Sequence, residues 1–256
     1  MLRLASLAFL LTAALAVAAA PRRPEGPDVL VVADAMANPT YPLRPTKDRP
    51  VYVHLMGGKE FTLGDAYAGE PMPKPEEIRA AVVAALESQG YKIAVLGGPA
   101  PSVVIVYTYG SANLATAEIN DTDSGTGETT TSTIAFNRRE IAELVGADKA
   151  ARKMLMTSEA DRINDAARTD RLYVMIGALD TAALLQKKRV LAWRTRISID
   201  ARRTSLPESL RVMLASAAPH FGTRNDLPVF VEDADRRKTE VHIGTPTVVR
   251  DPPKSP

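Results

Sequence analysis

The spacing of apolar residues in the first half of the chain predicts strands around one long helix. Residues 51–55 alternate between apolar and polar side chains, which is the period of a half-buried strand. Residues 75–89 carry apolar side chains three and four positions apart, between an acidic first turn and Gly90, and this predicts an amphipathic helix. Residues 103–109 are apolar at nearly every position, so we expect this strand inside a sheet.

A second block, residues 171–222, predicts two strands and a capped helix. Residues 172–178 alternate as a strand, and residues 191–200 form the next one. One face of this second strand is apolar: Leu191, Trp193, Ile197 and Ile199. The opposite face is polar: Arg194, Arg196, Ser198 and Asp200. We therefore expect one face of the sheet to be exposed to solvent. Ser205 and Glu208 have capping-box spacing at the start of the helix that follows.

These elements predict an α+β fold. The order is strand, helix, two strands, a polar insertion at about residues 111–137, two strands, a helix and a last strand within residues 240–249. A polar sheet face combined with amphipathic helices favours a two-layer sandwich, with a mainly antiparallel sheet and helices packed on one face. The insertion is rich in Ser, Thr, Gly, Asp and Asn, which is typical of a long loop.

The chain is expected to divide into a leader, an arm, one domain and a tail. Residues 1–19 have the positive start, short apolar core and Ala-Val-Ala site of a secretory signal peptide; an uncleaved N-terminal anchor is the alternative. Residues 20–50 predict an extended arm with an edge strand at the apolar patch 29–32. Residues 51–249 are assigned to a single α+β domain and residues 250–256 to a proline-rich tail.

Composition excludes several classes of protein. The chain has no cysteine, which argues against disulfides, thiolate nucleophiles and a lipid-modified N-terminal cysteine. Its formal net charge is only +2, so no global field marks a nucleic-acid binder. No apolar run after the leader has the length of a membrane span. We expect a periplasmic or secreted bacterial protein that is not a lipoprotein, binds no nucleic acid and has no transmembrane span after signal cleavage.

Familiar catalytic patterns are absent from the sequence. It contains no G-x-S-x-G elbow, S-x-x-K pair, H-E-x-x-H helix or P-loop. Its histidines, His54, His220 and His242, lie far apart, and a site that joins His54 to His242 requires their strands to pair.

The acidic residues of the insertion do not have calcium-loop spacing. Asp121, Asp123 and Glu128 lie in a Gly- and Thr-rich stretch, but the position of the EF-hand glycine is Thr126 and that of the twelfth ligand is Ser132. A solvated loop is the preferred interpretation. We therefore predict no catalytic residue, no cofactor site and no metal site.

The candidate binding site is a run of positive charge around the second strand of the second block. It comprises Lys187, Lys188, Arg189, Arg194 and Arg196. If Arg194 and Arg196 lie on the polar sheet face, the three cations of the preceding turn add to them. Together they would form a positive patch for an anionic partner. The partner is then an envelope protein, a lipid headgroup or a cell-wall polymer. Alternatively, these are solubilising charges that protect an exposed strand from edge-to-edge pairing.

Several segments resemble an uncharacterised family of secreted bacterial envelope proteins that carry a domain of unknown function. The segments are IRAAVVAALESQGYKI, PSVVIVYTYGS, GALDTAALLQKKRVLAWRTRISI, ASAAPHFG and VHIGTPTVV. The resemblance covers about residues 51–249 and implies a location and a fold, not an activity. Many members of this family are lipoproteins, a pattern from which this cysteine-free chain departs. The resemblance provides no catalytic residues to carry over.

The sequence therefore favours a non-enzymatic binding module associated with the cell envelope. The alternative is a hydrolase or transferase with an unrecognised active site, built around His54, His242 or the insertion.

Overall fold

The computed structural model describes residues 28–37, 39, 41–65, 70–122, 126, 129–135, 137–153 and 157–232, and these residues contain both strands and helices. The strands are β1 (Val29–Ala35), β2 (Tyr52–Glu60), β3 (Lys92–Ile93), β4 (Val103–Ala112), β5 (Thr116–Thr122), β6 (Thr129–Ala135), β7 (Arg171–Asp180), β8 (Leu191–Asp200) and β9 (Val229–Val231). The helices are α1 (Pro75–Ser88), α2 (Arg138–Val145), α3 (Ala147–Arg152), α4 (Ser158–Ala166), α5 (Thr181–Leu185) and α6 (Leu206–Ala217).

Seven of these strands form one mixed sheet in the order β3-β2-β4-β7-β8-β1-β9. β2 is parallel to β3 and to β4, and α1 supplies the crossover from β2 to β3 that a parallel pair requires. Every pairing from β4 to β9 is antiparallel. The α+β class predicted from the sequence is confirmed.

Helices cover both faces of this sheet. On one face, α1 lies against β2 and β3, and α6 lies against β1, β7 and β8. Their buried residues Ile78, Val82 and Met213 belong to the cluster that also holds Trp193. On the other face, α2 packs onto β4 and β7, and α3 and α4 pack around Leu30 of β1. The predicted arrangement with helices on one face only is therefore wrong. The two-layer interpretation failed because the polar positions of β8 lie under helices rather than in solvent.

The apolar patch at residues 29–32 forms an inner strand, not the predicted edge strand. β1 lies between β8 and β9, and residues 29–33 are fully buried. Five consecutive buried residues are typical of a strand that is covered on both faces. The short strand β9 forms the edge of the sheet. The predicted last strand within 240–249 lies outside the described residues.

The polar insertion is a hairpin rather than a loop. β5 and β6 pair antiparallel from Thr116↔Ala135 to Thr122↔Thr129, as a separate two-stranded sheet. Polar composition suggested a loop, but β6 is a run of Thr and Ser with high β propensity at its β-branched positions. The loop prediction gave too much weight to polarity and too little to β-branching.

Trp193 lies at the centre of the larger core cluster. Its side chain is 1% exposed, and its ring stacks on Phe221 at a centroid distance of 5.6 Å. Tyr91 lies against the same indole at 6.1 Å and donates a 2.7 Å hydrogen bond to the carbonyl of Leu43. The aromatic contacts therefore join β8 to the end of α6 and to the start of β3.

Candidate functional site

The three cations Lys187, Lys188 and Arg189, here called the basic turn, lie between α5 and β8. Asp180 caps α5, because its Oδ1 accepts a 2.7 Å hydrogen bond from the amide of Ala183. Lys187 then adopts a left-handed conformation with φ of 59°, which ends the helix and reverses the chain. The backbone amides of Lys187 and Lys188 donate to the carbonyls of α5 at 2.8 and 2.9 Å. The turn is thus held by its own backbone, which leaves the charged side chains outside.

All three side chains of the basic turn are exposed. None of them forms an ion pair with another residue in the described ranges. The segment 181–190 contains no acidic residue. The nearest acid in sequence is Asp180, whose carboxylate caps α5. Three adjacent exposed cations with no ion-pair partner in the described ranges attract anions from solution.

Arg194 and Arg196 lie elsewhere, on the face of β8 that α2 and α3 cover. Arg196 is 3% exposed, and its Nη2 donates a 2.6 Å hydrogen bond to Oδ2 of Asp34 on β1. Its Nη1 donates to the carbonyl oxygen of Glu143, in the last turn of α2. A cation at this end of a helix is favoured by the helix dipole. Arg194 is half-buried, with its Nη2 3.5 Å from the same Asp34 oxygen.

Lys149 completes this charge cluster, defined here as Asp34, Lys149 and Arg196 with Arg194 at its edge. Lys149 and Arg196 are buried, whereas the side chain of Asp34 is 30% exposed. The ammonium group of Lys149 donates to Oδ1 of Asp34 at 2.7 Å and to the carbonyls of Ala33 and Asn225, each at 2.8 Å. All three of its protons therefore have an acceptor. The lysine joins β1, α3 and the segment before β9.

The electrostatics of the cluster favour a fixed, ionised Asp34. Burial opposes ionisation, but the hydrogen bond from Lys149 and the charges of Arg196 and Lys149 outweigh it, so the pKa of Asp34 lies below its ordinary value. Burial also lowers the pKa of Arg196, and the charge of Asp34 counteracts this shift. Because these cations are committed to an internal carboxylate and to backbone carbonyls, the cluster stabilises the contact between helices and sheet rather than presenting charge to a partner.

The five predicted site residues therefore divide into two groups. Lys187, Lys188 and Arg189 are exposed as expected, whereas Arg196 is buried and Arg194 half-buried, so the prediction that these arginines lie on a solvent-exposed sheet face is wrong. Sequence reasoning also missed Asp34 and Lys149. No local signal marks them, because the hydrogen bond between Arg196 and Asp34 spans 162 positions of the chain.

The histidines and the acidic insertion do not form a site in the described residues. His54 is exposed on β2. His220 is half-buried, with its Nδ1 3.5 Å from the side-chain amide nitrogen (Nδ2) of Asn225. Burial lowers the pKa of His220. His242, Asp123 and Glu128 lie outside the described residues. Among the residues that are described, no three His, Asp or Glu side chains converge in a way that could hold a metal ion.

A shallow groove of about 1000 Å³ runs between α1 and α6. Five of its thirteen lining residues are alanines, among them Ala80, Ala84 and Ala215, and Glu76, Glu77 and Arg211 also line it. The small side chains make it an open depression rather than an enclosed pocket with converging polar groups. Within the described ranges, no helix combines the length and apolar character that crossing a membrane requires.

Comparisons with known proteins give only distant structural likenesses. No protein-family model matches the chain, and no curated protein matches it in sequence. A PDZ domain protein from Parabacteroides distasonis is similar at a TM-score of 0.39 and 8% identity; the match covers 80% of this chain and 38% of that one. Two PelC dodecamers from Paraburkholderia phytofirmans match at TM-scores of 0.32 and 0.31, with 9% and 8% identity, over 76% of this chain and 99% of theirs. Likenesses this weak carry no argument about function.

Proposed function

We propose that this protein is a non-enzymatic binding module of the bacterial cell envelope, and that it contacts an anionic envelope component through the basic turn. The observation that carries the proposal is the exposure of Lys187, Lys188 and Arg189 side by side without an ion-pair partner among the described residues. Solubilising charges are usually interspersed with acidic ones, whereas residues 181–190 contain none, and the adjoining Asp180 uses its carboxylate to cap α5.

The rigid support of the turn also favours binding. Asp180 caps the preceding helix, and backbone hydrogen bonds hold Lys187 and Lys188 against α5. A preorganised turn loses little conformational entropy when a partner binds, so more of the electrostatic attraction remains as affinity. The partner must be anionic and must reach a convex turn, which favours a headgroup, a polymer or an acidic protein surface over a small molecule in a cleft.

The envelope location rests on the sequence. Arg3, the apolar residues 4–15 and the small residues 16–18 have the pattern of a secretory signal peptide, and the segments quoted above resemble secreted envelope proteins. Expression of the full chain in a bacterium should yield a product in the periplasm or medium whose mass corresponds to cleavage after Ala18 or Ala19. Full-length protein confined to the cytoplasm would contradict the location.

Co-sedimentation with a washed bacterial envelope fraction tests the binding site. The test variant is Lys187→Glu/Lys188→Glu/Arg189→Glu. The matched control reverses three exposed cations elsewhere, Arg79→Glu/Arg138→Glu/Arg211→Glu, so that both variants have the same net charge. We expect the wild type to sediment with the envelope and the test variant to remain in the supernatant. The control variant should lose much less of its envelope binding than the test variant. If both variants lost the same amount of envelope binding, or if the test variant lost none, the assignment of the binding site to the basic turn would be refuted.

A further inference from the structure

The basic turn shares one end of the sheet with a second exposed loop. Val103 pairs with Val53 and with Asp180, so the starts of β2 and β4 and the end of β7 lie together. The amide of Thr181 donates a 3.1 Å hydrogen bond to the carbonyl of Ser102, which links the start of α5 to the loop before β4. This end of the sheet, formed by the loop 94–102 and the segment 181–191, is called the turn end below.

The turn end exposes large apolar side chains that the fold leaves uncovered among the described residues. The side chain of Leu96 is fully exposed, at 106% of its reference area, and Leu185 and Val95 are 83% and 70% exposed. Val190 and Leu191 are 38% and 40% exposed beside the basic turn. Single exposed hydrophobic residues are ordinary on protein surfaces, but several of them at one end of a sheet favour an interaction surface.

The charge of the turn end is positive. The loop 94–102 has no ionisable side chain, and the segment 181–191 has the three cations of the basic turn and no acid. The segment that leads into β2 adds Arg44, Lys47 and Arg49 against a single acid, Asp48. Tyr91, which follows α1 at this end, donates to the carbonyl of Leu43, so this segment also lies near the turn end.

From this combination we infer that the turn end docks on the surface of an anionic phospholipid membrane, with Leu185 and Leu96 entering the headgroup region and the basic turn facing the phosphates. The inference rests on the proposed function and names its partner. A soluble polyanion would use the cations alone and leave the leucines in water. A membrane uses both, because apolar side chains enter the boundary between headgroups and acyl chains while Lys and Arg remain at the anionic surface.

Binding to defined vesicles separates the two contributions. The probes are vesicles that contain phosphatidylglycerol, vesicles of phosphatidylcholine alone, and soluble polyphosphate. We expect Lys187→Glu/Lys188→Glu/Arg189→Glu to weaken binding to the anionic vesicles at least about 100-fold, since each of the three cations near such a surface contributes roughly fivefold. The same variant should lose binding to polyphosphate. Leu96→Ser/Leu185→Ser should weaken vesicle binding about tenfold and leave binding to polyphosphate unchanged.

The outcomes distinguish this inference from the proposed function. If wild type binds polyphosphate through the basic turn but does not bind anionic vesicles, the membrane inference fails and the anionic site stands. If the leucine variant binds vesicles as tightly as the wild type, insertion is refuted. If reversing the basic turn weakens neither interaction, the proposed function fails as well.

The absence of cysteine permits a direct test of insertion with a single labelled residue. An environment-sensitive fluorophore attached to Leu185→Cys should shift to shorter wavelength on vesicles that contain phosphatidylglycerol. The matched control is Val212→Cys, an exposed position on α6. A shift at both positions, or at neither while the protein is bound, would contradict docking through the turn end.

Discussion

Asp34 and Arg196 form a 2.6 Å charge-assisted hydrogen bond between neighbouring strands, beneath helices α2 and α3. The other oxygen of Asp34 accepts a 2.7 Å hydrogen bond from Lys149, so one carboxylate joins two strands and a helix. The pairing reassigns Arg196 from a binding surface to the interior. Reversing its charge would therefore test folding rather than binding, and only the basic turn is suitable for a binding test.

Replacing Asp34 should destabilise the fold strongly. Asp34→Asn leaves Lys149 and Arg196 without their shared counter-charge, and breaking a buried ion pair on one side costs about 3–5 kcal/mol. Urea denaturation measures the loss. Asp226→Asn is the control, because its carboxylate pairs with Lys153 at the surface, where solvent screens the pair and its removal should change stability little. Similar losses for the two variants would show that the cluster does not hold the helices.

The depressed pKa of Asp34 predicts a pH dependence of stability. A carboxyl whose folded pKa lies below its unfolded value stabilises the protein above the unfolded pKa and loses that contribution as pH falls through the folded one. The difference in unfolding free energy between wild type and Asp34→Asn should therefore be constant near neutral pH and shrink as the solution is acidified below the ordinary pKa of aspartate. Denaturation curves across this range measure it. A difference that grows on acidification would contradict the assignment.

The alternation of apolar residues predicted most elements, since α1 and α6 each bury a periodic stripe and β7 and β8 each have an alternating apolar face. This alternation could not predict that Arg196 and Ser198 are buried. A polar strand face gives the same sequence pattern whether it faces solvent or charged groups inside the protein. The partners of Arg196 come from β1 and α2, which are distant in sequence. The basic turn was predictable because three adjacent cations between two predicted strands are a local feature of the sequence.

Trp193→Ala should lower the free energy of unfolding by about 3–5 kcal/mol, the usual range for removing a buried aromatic side chain. The indole is 1% exposed and packs between Phe221 and Tyr91. Trp193→Phe is the matched variant: it retains a ring against Phe221 and should cost clearly less. Thermal and urea unfolding measure both. An alanine variant with a midpoint close to that of the wild type would mean that the aromatic cluster contributes little to stability.

Gly222 should tolerate no side chain. It has a φ of 68°, and a Cβ there would lie 2.5 Å from the carbonyl oxygen of Leu43 and 2.8 Å from the hydroxyl of Tyr91. Gly97 has a φ of 79° with no atom within 4 Å of such a Cβ, so Gly97→Ala isolates the backbone strain. We expect Gly97→Ala to cost about 1–2 kcal/mol and Gly222→Ala to cost about 1–3 kcal/mol more, from the added clash. Equal losses of stability would remove the steric argument.

The most direct test of the central claim is amide hydrogen exchange of the unmodified protein, free and bound to a washed envelope fraction. Contact through the basic turn predicts slower exchange at residues 185–190 in the bound state. Exchange at residues 29–33 and 192–199, which are already paired inside the sheet, should be unchanged. Protection at another surface, such as the groove between α1 and α6, with residues 185–190 unaffected, would contradict the account.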